Sequence, residues 1–266
     1  MVAVFYFDDH LDAARGGVLF AALIVLMALG TAELRTILRA KSHPFDPGFF
    51  LVATGAIGLV AIVYLTPWFY DHGIERRLLP LTAAWLLAVL IAALIRHAVP
   101  EKRTDGAIIV GSLTLFAVVY IAAGPSALLF IRAEHGAWVV LALLAITKCC
   151  DIGAYLTGVA IGRNKLIPWL SPGKTWEGLI GGILFSAAVA AGLSLLDTRY
   201  PLSWAIITGA LLAISGQLGD LTASLFKRDA DLKDSGKAVP GFGGVLDIVD
   251  SPIVAAPVGY WLLQLV

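Results

Sequence analysis

Two aspartates, Asp247 and Asp250, stand three residues apart at the start of the last apolar segment of the chain. At this spacing both carboxylates lie on one face of a helix. A second polar face is predicted around Asp220, and its other members are Gln217, Ser224 and Lys227. Carboxylates from two helices suit Mg²⁺, which takes one or two carboxylates and completes its shell with water and phosphate oxygens. Two alternatives stay open: a structural polar stripe, and helix-start aspartates that interact with the helix dipole.

A basic loop connects these two faces. Its cations are Lys227, Arg228, Lys233 and Lys237, and it ends in the glycine-rich run Pro240–Gly244. Glycine lets backbone N–H groups approach an anion closely, and the start of the next helix adds a favourable dipole. Carboxylates for a metal, beside cations and glycines for phosphate, are the parts of a phosphoryl- or nucleotidyl-transfer site.

A third polar face lies earlier in the chain, within another apolar segment. Its members, Lys148, Asp151 and Tyr155, recur at helical spacing. Ionisable residues inside apolar spans are costly and are therefore candidates for function. Either Lys148 and Asp151 neutralise each other, or Asp151 faces a polar cavity. The neighbouring Cys149-Cys150 pair is predicted to be packed and inert.

The stretch Leu170–Gly178 supplies three more candidates, which are Ser171, Lys174 and Thr175. Its Pro-Gly-Lys-Thr order lacks the glycine spacing of a phosphate-binding P-loop, so we reject that interpretation. Serine followed by proline predicts a helix that begins at Ser171-Pro172. The alternative is an interfacial helix with Trp169 and Trp176 at the level of the lipid headgroups.

The elements that position these residues are predicted from composition. Apolar residues make up 59% of the 266 positions and charged residues 14%, against about half and a quarter in soluble domains. The apolar blocks are long enough to cross a membrane. We predict an all-α polytopic membrane bundle with spans at 17–38, 48–69, 80–96, 106–130, 137–160, 178–196, 201–223 and 244–266. A break at Gly124-Pro125 could add a ninth element.

We expect one continuous membrane domain, with N-terminal spans in 1–135 and the catalytic region in 136–266. Most of the 19 lysines and arginines fall on one side if both termini lie outside, which predicts that loops 161–177 and 224–243 are cytoplasmic. The first sixteen residues lack the basic start of a cleavable signal peptide. A net charge of zero and the lack of a basic tail argue against a nucleic-acid partner.

Taken together, these motifs resemble the phosphatidate cytidylyltransferase, or CDP-diacylglycerol synthase, family. The resemblance extends over residues 148–251, and its C-terminal pattern is matched by Ser224, Lys227, Arg228, Lys233, Asp234, Pro240, Gly243, Gly244, Asp247 and Asp250. The stretch around Ser171–Gly178 and the run Asp151–Tyr155 match the family in order and spacing. Phe242 and Ile248 stand where the family pattern has His and Arg, which removes two possible phosphate contacts.

The resemblance implies a reaction in which CTP and phosphatidate give CDP-diacylglycerol and pyrophosphate. It implies Mg²⁺ held by Asp220, Asp247 and Asp250, with Asp151 as a further catalytic residue. The implied phosphate and substrate contacts are Lys227, Arg228, Lys233, Lys237, Ser171, Lys174, Thr175, Ser224, Asp234, Gly243 and Gly244. It further implies a homodimer in the bacterial inner membrane, with the site facing the cytoplasm.

Three alternatives are kept. A CTP-dependent polyprenol or dolichol kinase is a related transferase, but the full C-terminal pattern favours the cytidylyltransferase. An alcohol phosphatidyltransferase also uses clustered membrane aspartates, but its signature Asp-x-x-Asp-Gly-x-x-Ala-Arg is absent from this sequence. An ion-coupled transporter could use Lys148, Asp151 and Asp220, yet it would favour inverted repeats and broken helices in both halves.

Overall fold

The computed structural model describes residues 17–40, 49–64, 78–102, 104–197, 199–232, 234–236 and 243–265. Within these ranges the chain forms eight helices and one small sheet. In chain order they are α1 Gly17–Ala40, α2 Phe49–Tyr64, α3 Leu78–Glu101, α4 Ala107–His135, α5 Ala137–Ile161, β1 Lys165–Ile167, β2 Ser171–Thr175, α6 Trp176–Ser194, α7 Leu202–Asp229 and α8 Leu246–Leu263.

Seven of the described helices are long and apolar enough to cross a membrane. The eighth, α2, is equally apolar but has 16 residues, a length of about 24 Å at 1.5 Å per residue. The eight helices coincide with the eight predicted spans. The chain is therefore an integral membrane helical bundle, as predicted from its composition.

The predicted break in the fourth span is wrong. Helix α4 runs without interruption from Ala107 to His135, with Pro125 inside it. The glycine beside this proline serves close packing: a Cβ on Gly124 would lie 2.8 Å from the Cα of Ile253 in α8. Small residues at such a crossing let two membrane helices approach closely. No extra element therefore divides residues 107–135.

The stretch after α5 forms an antiparallel β-hairpin, so the predicted helix start at Ser171-Pro172 is wrong. Lys165 pairs with Thr175, and Ile167 pairs with Ser171. Helix α6 begins only at Trp176, because Thr175 is extended and its hydroxyl accepts the N–H of Gly178 at 3.1 Å. This is the usual N-cap interaction of threonine.

Helix α6 fixes the hairpin through its first turn. The carboxylate of Glu177 accepts the backbone N–H groups of Arg163 and Asn164 at 3.2 Å and the side-chain amide of Asn164 at 2.7 Å. Helices α5 and α6 pack closely because a Cβ on Gly182 would meet the carbonyl oxygen of Cys150 at 2.8 Å. Both cysteines are free, and Cys150 is buried.

Candidate active site

A continuous series of polar side chains links α5, α7 and the hairpin. Lys148 Nζ lies 3.2 Å from Asp151 Oδ2, and Gln217 Nε2 donates to Asp151 Oδ1 at 3.2 Å. Lys174 Nζ donates to Gln217 Oε1 at 3.0 Å and forms an ion pair with Asp220. We call these five residues the polar series. It brings together three predicted site residues, Asp151, Lys174 and Asp220, that come from separate motifs.

The hairpin explains how Lys174 reaches α7. Strand β2 is extended, so successive side chains point to opposite faces. Within it Lys174 is half-buried, whereas Gly173 on one side is exposed and Thr175 on the other caps α6. The hydroxyl of Thr175 is thereby used within the fold. The predicted substrate contacts of this stretch stay predictions: Ser171 and Lys174 are half-buried, and Thr175 is buried.

Asp250 lies deepest among the predicted acidic residues, with 3% of its surface exposed. Its Oδ1 accepts the N–H of Ser251 at 2.6 Å and the Ser251 hydroxyl at 3.2 Å. Helix α7 crosses α8 at this point, where a Cβ on Gly219 would clash with the carbonyl oxygen of Asp250. This close approach of α7 to α8 places Asp250 beside the polar series.

Charges of both signs act on the Asp250 carboxylate. The negative charge of Asp220 repels this carboxylate, and the positive charges of Lys148 and Lys227 attract it. Two carboxylates in one low-dielectric region repel each other unless a cation compensates. Asp220, on the adjacent helix, already pairs with Lys174, whereas Asp250 hydrogen-bonds only to Ser251 among the contacts described.

Asp247 is placed differently from Asp250. Its Oδ1 lies 2.8 Å from Lys227 Nζ, and its Oδ2 accepts the backbone N–H groups of Ser235 at 3.0 Å and Gly244 at 2.9 Å. Both side chains of the Lys227–Asp247 pair are largely buried, at 13% and 12% exposure. This geometry matches the helix-start alternative, because the carboxylate accepts free N–H groups ahead of α8.

Glu33, in α1, is a residue that the sequence analysis missed. Its Oε1 accepts the N–H of Val245 at 2.8 Å, and its Oε2 accepts the N–H of Leu246 at 2.8 Å and the hydroxyl of Ser235 at 2.9 Å. The side chain is buried, at 8% exposure. In the sequence, the signal that could have identified Glu33 is an acidic residue inside an apolar span. Its partners, however, lie more than 200 residues away along the chain.

The remaining predicted site residues differ in how exposed they are. Ser224 is half-buried on α7, whereas Arg228 and Asp234 are exposed. Gly243 has a positive φ of 87°, which favours glycine, and Gly244 donates to Asp247. Tyr155 faces away from the interior, at 70% exposure. The predictions for Lys233, Lys237 and Phe242 lie outside the described residues.

The fit of the site to a metal depends on its oxygen donors. In the part of the chain that the structure describes, no three His, Cys, Asp or Glu side chains are grouped to hold a metal. Asp220 and Asp250 supply two neighbouring carboxylates, the number that Mg²⁺ takes when phosphate and water provide the rest. Asp247 already accepts three donors. Carboxylate oxygens suit Mg²⁺ in chemical type, and the Mg²⁺ site expected at Asp220, Asp247 and Asp250 stays a prediction.

The sequence of the chain matches one protein-family profile and is similar to several known proteins. Residues 10–266 match the profile of the Cytidylyltransferase family. The chain is 33% identical to the phosphatidate cytidylyltransferase of Bacillus subtilis over 250 residues, which cover 91% of this chain and 88% of that protein. It is 32% identical to the phosphatidate cytidylyltransferase of Chlamydia pneumoniae over 257 residues, covering 89% and 79%. It is 44% identical to the uncharacterised protein YnbB of Escherichia coli over 131 residues, but that match covers 49% of this chain and only 44% of YnbB.

Proposed function

Because the chain belongs to the cytidylyltransferase family, we propose that it transfers a cytidylyl group from CTP to phosphatidate, giving CDP-diacylglycerol and pyrophosphate. The names of its Bacillus and Chlamydia relatives support this activity. The observation that carries the proposal is the polar series beside Asp250, which sets cations and carboxylates together inside a membrane bundle. A lipid phosphate reaches such a site from the bilayer, and a nucleotide reaches it from water.

The proposed reaction needs positioning and charge neutralisation. An oxygen of the phosphatidate phosphate forms a bond to the α-phosphorus of CTP, and the bond from that phosphorus to the β-phosphate oxygen breaks. Pyrophosphate leaves with the electron pair of the broken bond. The nucleophile is already anionic, so no general base is required. Catalysis then depends on holding the two phosphates in line and on stabilising their charge.

Lysines on two elements are suited to this task. Lys174, on β2, and Lys227, on α7, each lie against a carboxylate within the bundle. We assign Lys174 and Lys227 to phosphate binding, with Ser171, Ser224 and Arg228 as further contacts. Lys233 and Lys237 are retained as predicted contacts from sequence.

Asp220 and Asp250 are proposed to hold Mg²⁺. When bound there, Mg²⁺ would neutralise charge on the phosphate oxygens. Asp151 orients the amide of Gln217, which in turn contacts Lys174. Asp247 is proposed to position Lys227 and the segment before α8, because its oxygens already accept three donors. That Asp247 is a third ligand of the Mg²⁺ ion remains a hypothesis.

The site is proposed to face the cytoplasm of a bacterial inner membrane. The bias of lysine and arginine toward the hairpin side supports this orientation. A homodimer, implied by the family resemblance, is likewise a proposal. The oligomer can be tested by measuring the mass of the purified protein in detergent. The orientation can be tested by labelling a single cysteine introduced in the hairpin from either side of the membrane.

A direct test of the proposed function follows the leaving group. Purified protein is mixed with CTP, phosphatidate and Mg²⁺, and the nucleotide products are separated. We expect pyrophosphate to form only when phosphatidate is present. A lipid kinase would instead release CDP when given a polyprenol or dolichol, and that result would favour the alternative transferase.

A further inference from the structure

A large apolar cavity adjoins the candidate site. It has a volume of about 580 Å³ and lies between α1, α4, α5 and α8. Helix α1 lines it from Leu19 to Gly30, α4 from Ile121 to Leu128, and α8 from Leu246 to Ile253. Among its described lining residues, Lys148 is the charged one. An ammonium beside hydrocarbon in a membrane span is costly, which makes this position a candidate for function.

The cavity and the candidate site meet at Lys148 and at the first turns of α8. The ammonium of Lys148 contacts Asp151 on the polar side, while the residue also lines the cavity. Helix α8 also borders both the cavity and the candidate site. Its Leu246 and Val249 line the cavity, whereas its Asp250 belongs to the site. An apolar chamber thus ends at a cation beside the catalytic acids. An amphiphile with an anionic head and a hydrocarbon tail matches this arrangement.

We infer that this cavity holds one acyl chain of the lipid substrate and that Lys148 faces the lipid phosphate. The inference rests on the proposed function. At about 580 Å³ the cavity falls in the range of pockets that hold small organic ligands, roughly 300–1,000 Å³, and so has room for an acyl chain. Lipid tails outside the protein are as apolar as the cavity wall, so burial in it adds little affinity. The cavity instead selects chains by length and shape.

Two neighbouring alanines on α1 provide a matched test. Ala22 lines the cavity, whereas Ala21 is exposed and is not part of the lining. The Ala22→Trp change narrows the chamber, and the Ala21→Trp change adds the same bulk outside it. The measurement is kcat/KM with dioleoyl and with dioctanoyl phosphatidate, together with the KM for CTP. Melting temperatures confirm that both variants fold.

We expect Ala22→Trp to lower the ratio of long-chain to short-chain kcat/KM by at least about tenfold, as steric selection in an apolar pocket allows. The KM for CTP should stay unchanged, and Ala21→Trp should keep the wild-type ratio. An unchanged ratio in folded Ala22→Trp would overturn the cavity assignment. If the wild type converts neither phosphatidate, the proposed function fails instead, so the two failures are distinguishable.

Photocrosslinking tests occupancy without relying on turnover. A phosphatidate with a photoreactive group near the end of one acyl chain should label peptides within residues 17–30 and 121–128. Excess phosphatidate should abolish this labelling, and excess phosphatidylcholine should not. Equal competition by phosphatidylcholine would show that ordinary bilayer lipid fills the cavity, which would contradict the inference.

Discussion

Replacing Glu33 by glutamine tests whether α1 holds the start of α8 in place. The change keeps the shape of the side chain but removes its charge and turns one acceptor oxygen into an N–H₂ donor. In the structure both oxygens are used, with Val245 donating to one and with Leu246 and Ser235 donating to the other. A glutamine oxygen can serve only one of these positions. At least one buried donor then faces another donor.

The expected magnitude follows from that unpaired group. A buried donor without an acceptor costs roughly 1–3 kcal/mol, and a hydrogen bond to a charged acceptor contributes about 1.5–3 kcal/mol. We therefore expect Glu33→Gln to ease local opening of the segment before α8 by about 2 kcal/mol, or roughly 30-fold in the opening equilibrium. Hydrogen exchange at the amides of Val245 and Leu246 should accelerate by the same factor.

Glu134→Gln is the matched control, since Glu134 contacts the other end of α8. It accepts the hydroxyl of Tyr260 at 3.0 Å and the amide of Gln264 at 2.6 Å, in an exposed position. This variant should leave exchange near Leu246 unchanged, because exposed substitutions usually shift stability by less than about 0.5 kcal/mol. Unchanged exchange in Glu33→Gln, or equal acceleration in both variants, would refute the role given to Glu33.

Three further predictions concern the charged pairs. Asp250→Asn should abolish turnover without lowering the melting temperature, since it removes repulsion from a neighbouring acid; full activity would show that this carboxylate is not catalytic. Asp247→Asn should lower stability by about 3–5 kcal/mol because it strands the buried Lys227, and a second change, Lys227→Met, should restore much of that stability; a fully stable single variant would contradict this. The double change Lys148→Met with Asp151→Leu should lower stability by only about 1–3 kcal/mol, because the buried amide of Gln217 loses its acceptor, but should eliminate activity. Retained activity would mean that the pair only neutralises itself.

The apolar spans were predictable because each helix must by itself supply a hydrocarbon-length run of apolar residues. The break at Gly124-Pro125 was not correctly predicted, because glycine and proline interrupt helices in general. Here Gly124 instead leaves room for the backbone of Ile253 to pack against α4. That contact depends on α8, which is distant in the chain. Local patterns therefore identified the helix but not the reason for its glycine.

The site was predictable in its residue types and only partly in its geometry. Spacing placed Asp247 and Asp250 on one helical face. It could not show that Asp247 pairs with Lys227, whereas Asp250 is under the like charge of Asp220. The ion pair between Lys174 and Asp220 joins a hairpin to α7 across 46 positions. Such pairings follow from tertiary packing, which one sequence does not display.

The most direct test of the central claim is to ask which phosphate of CTP enters the lipid. Purified protein is incubated with phosphatidate and Mg²⁺ together with CTP labelled at either the α- or the γ-phosphorus, and the lipid is extracted. The account predicts lipid-soluble label from α-labelled CTP alone, dependent on phosphatidate and abolished by a chelator. Label from the γ-phosphorus in the lipid, or no transfer of the α-label with Mg²⁺ present, would contradict it.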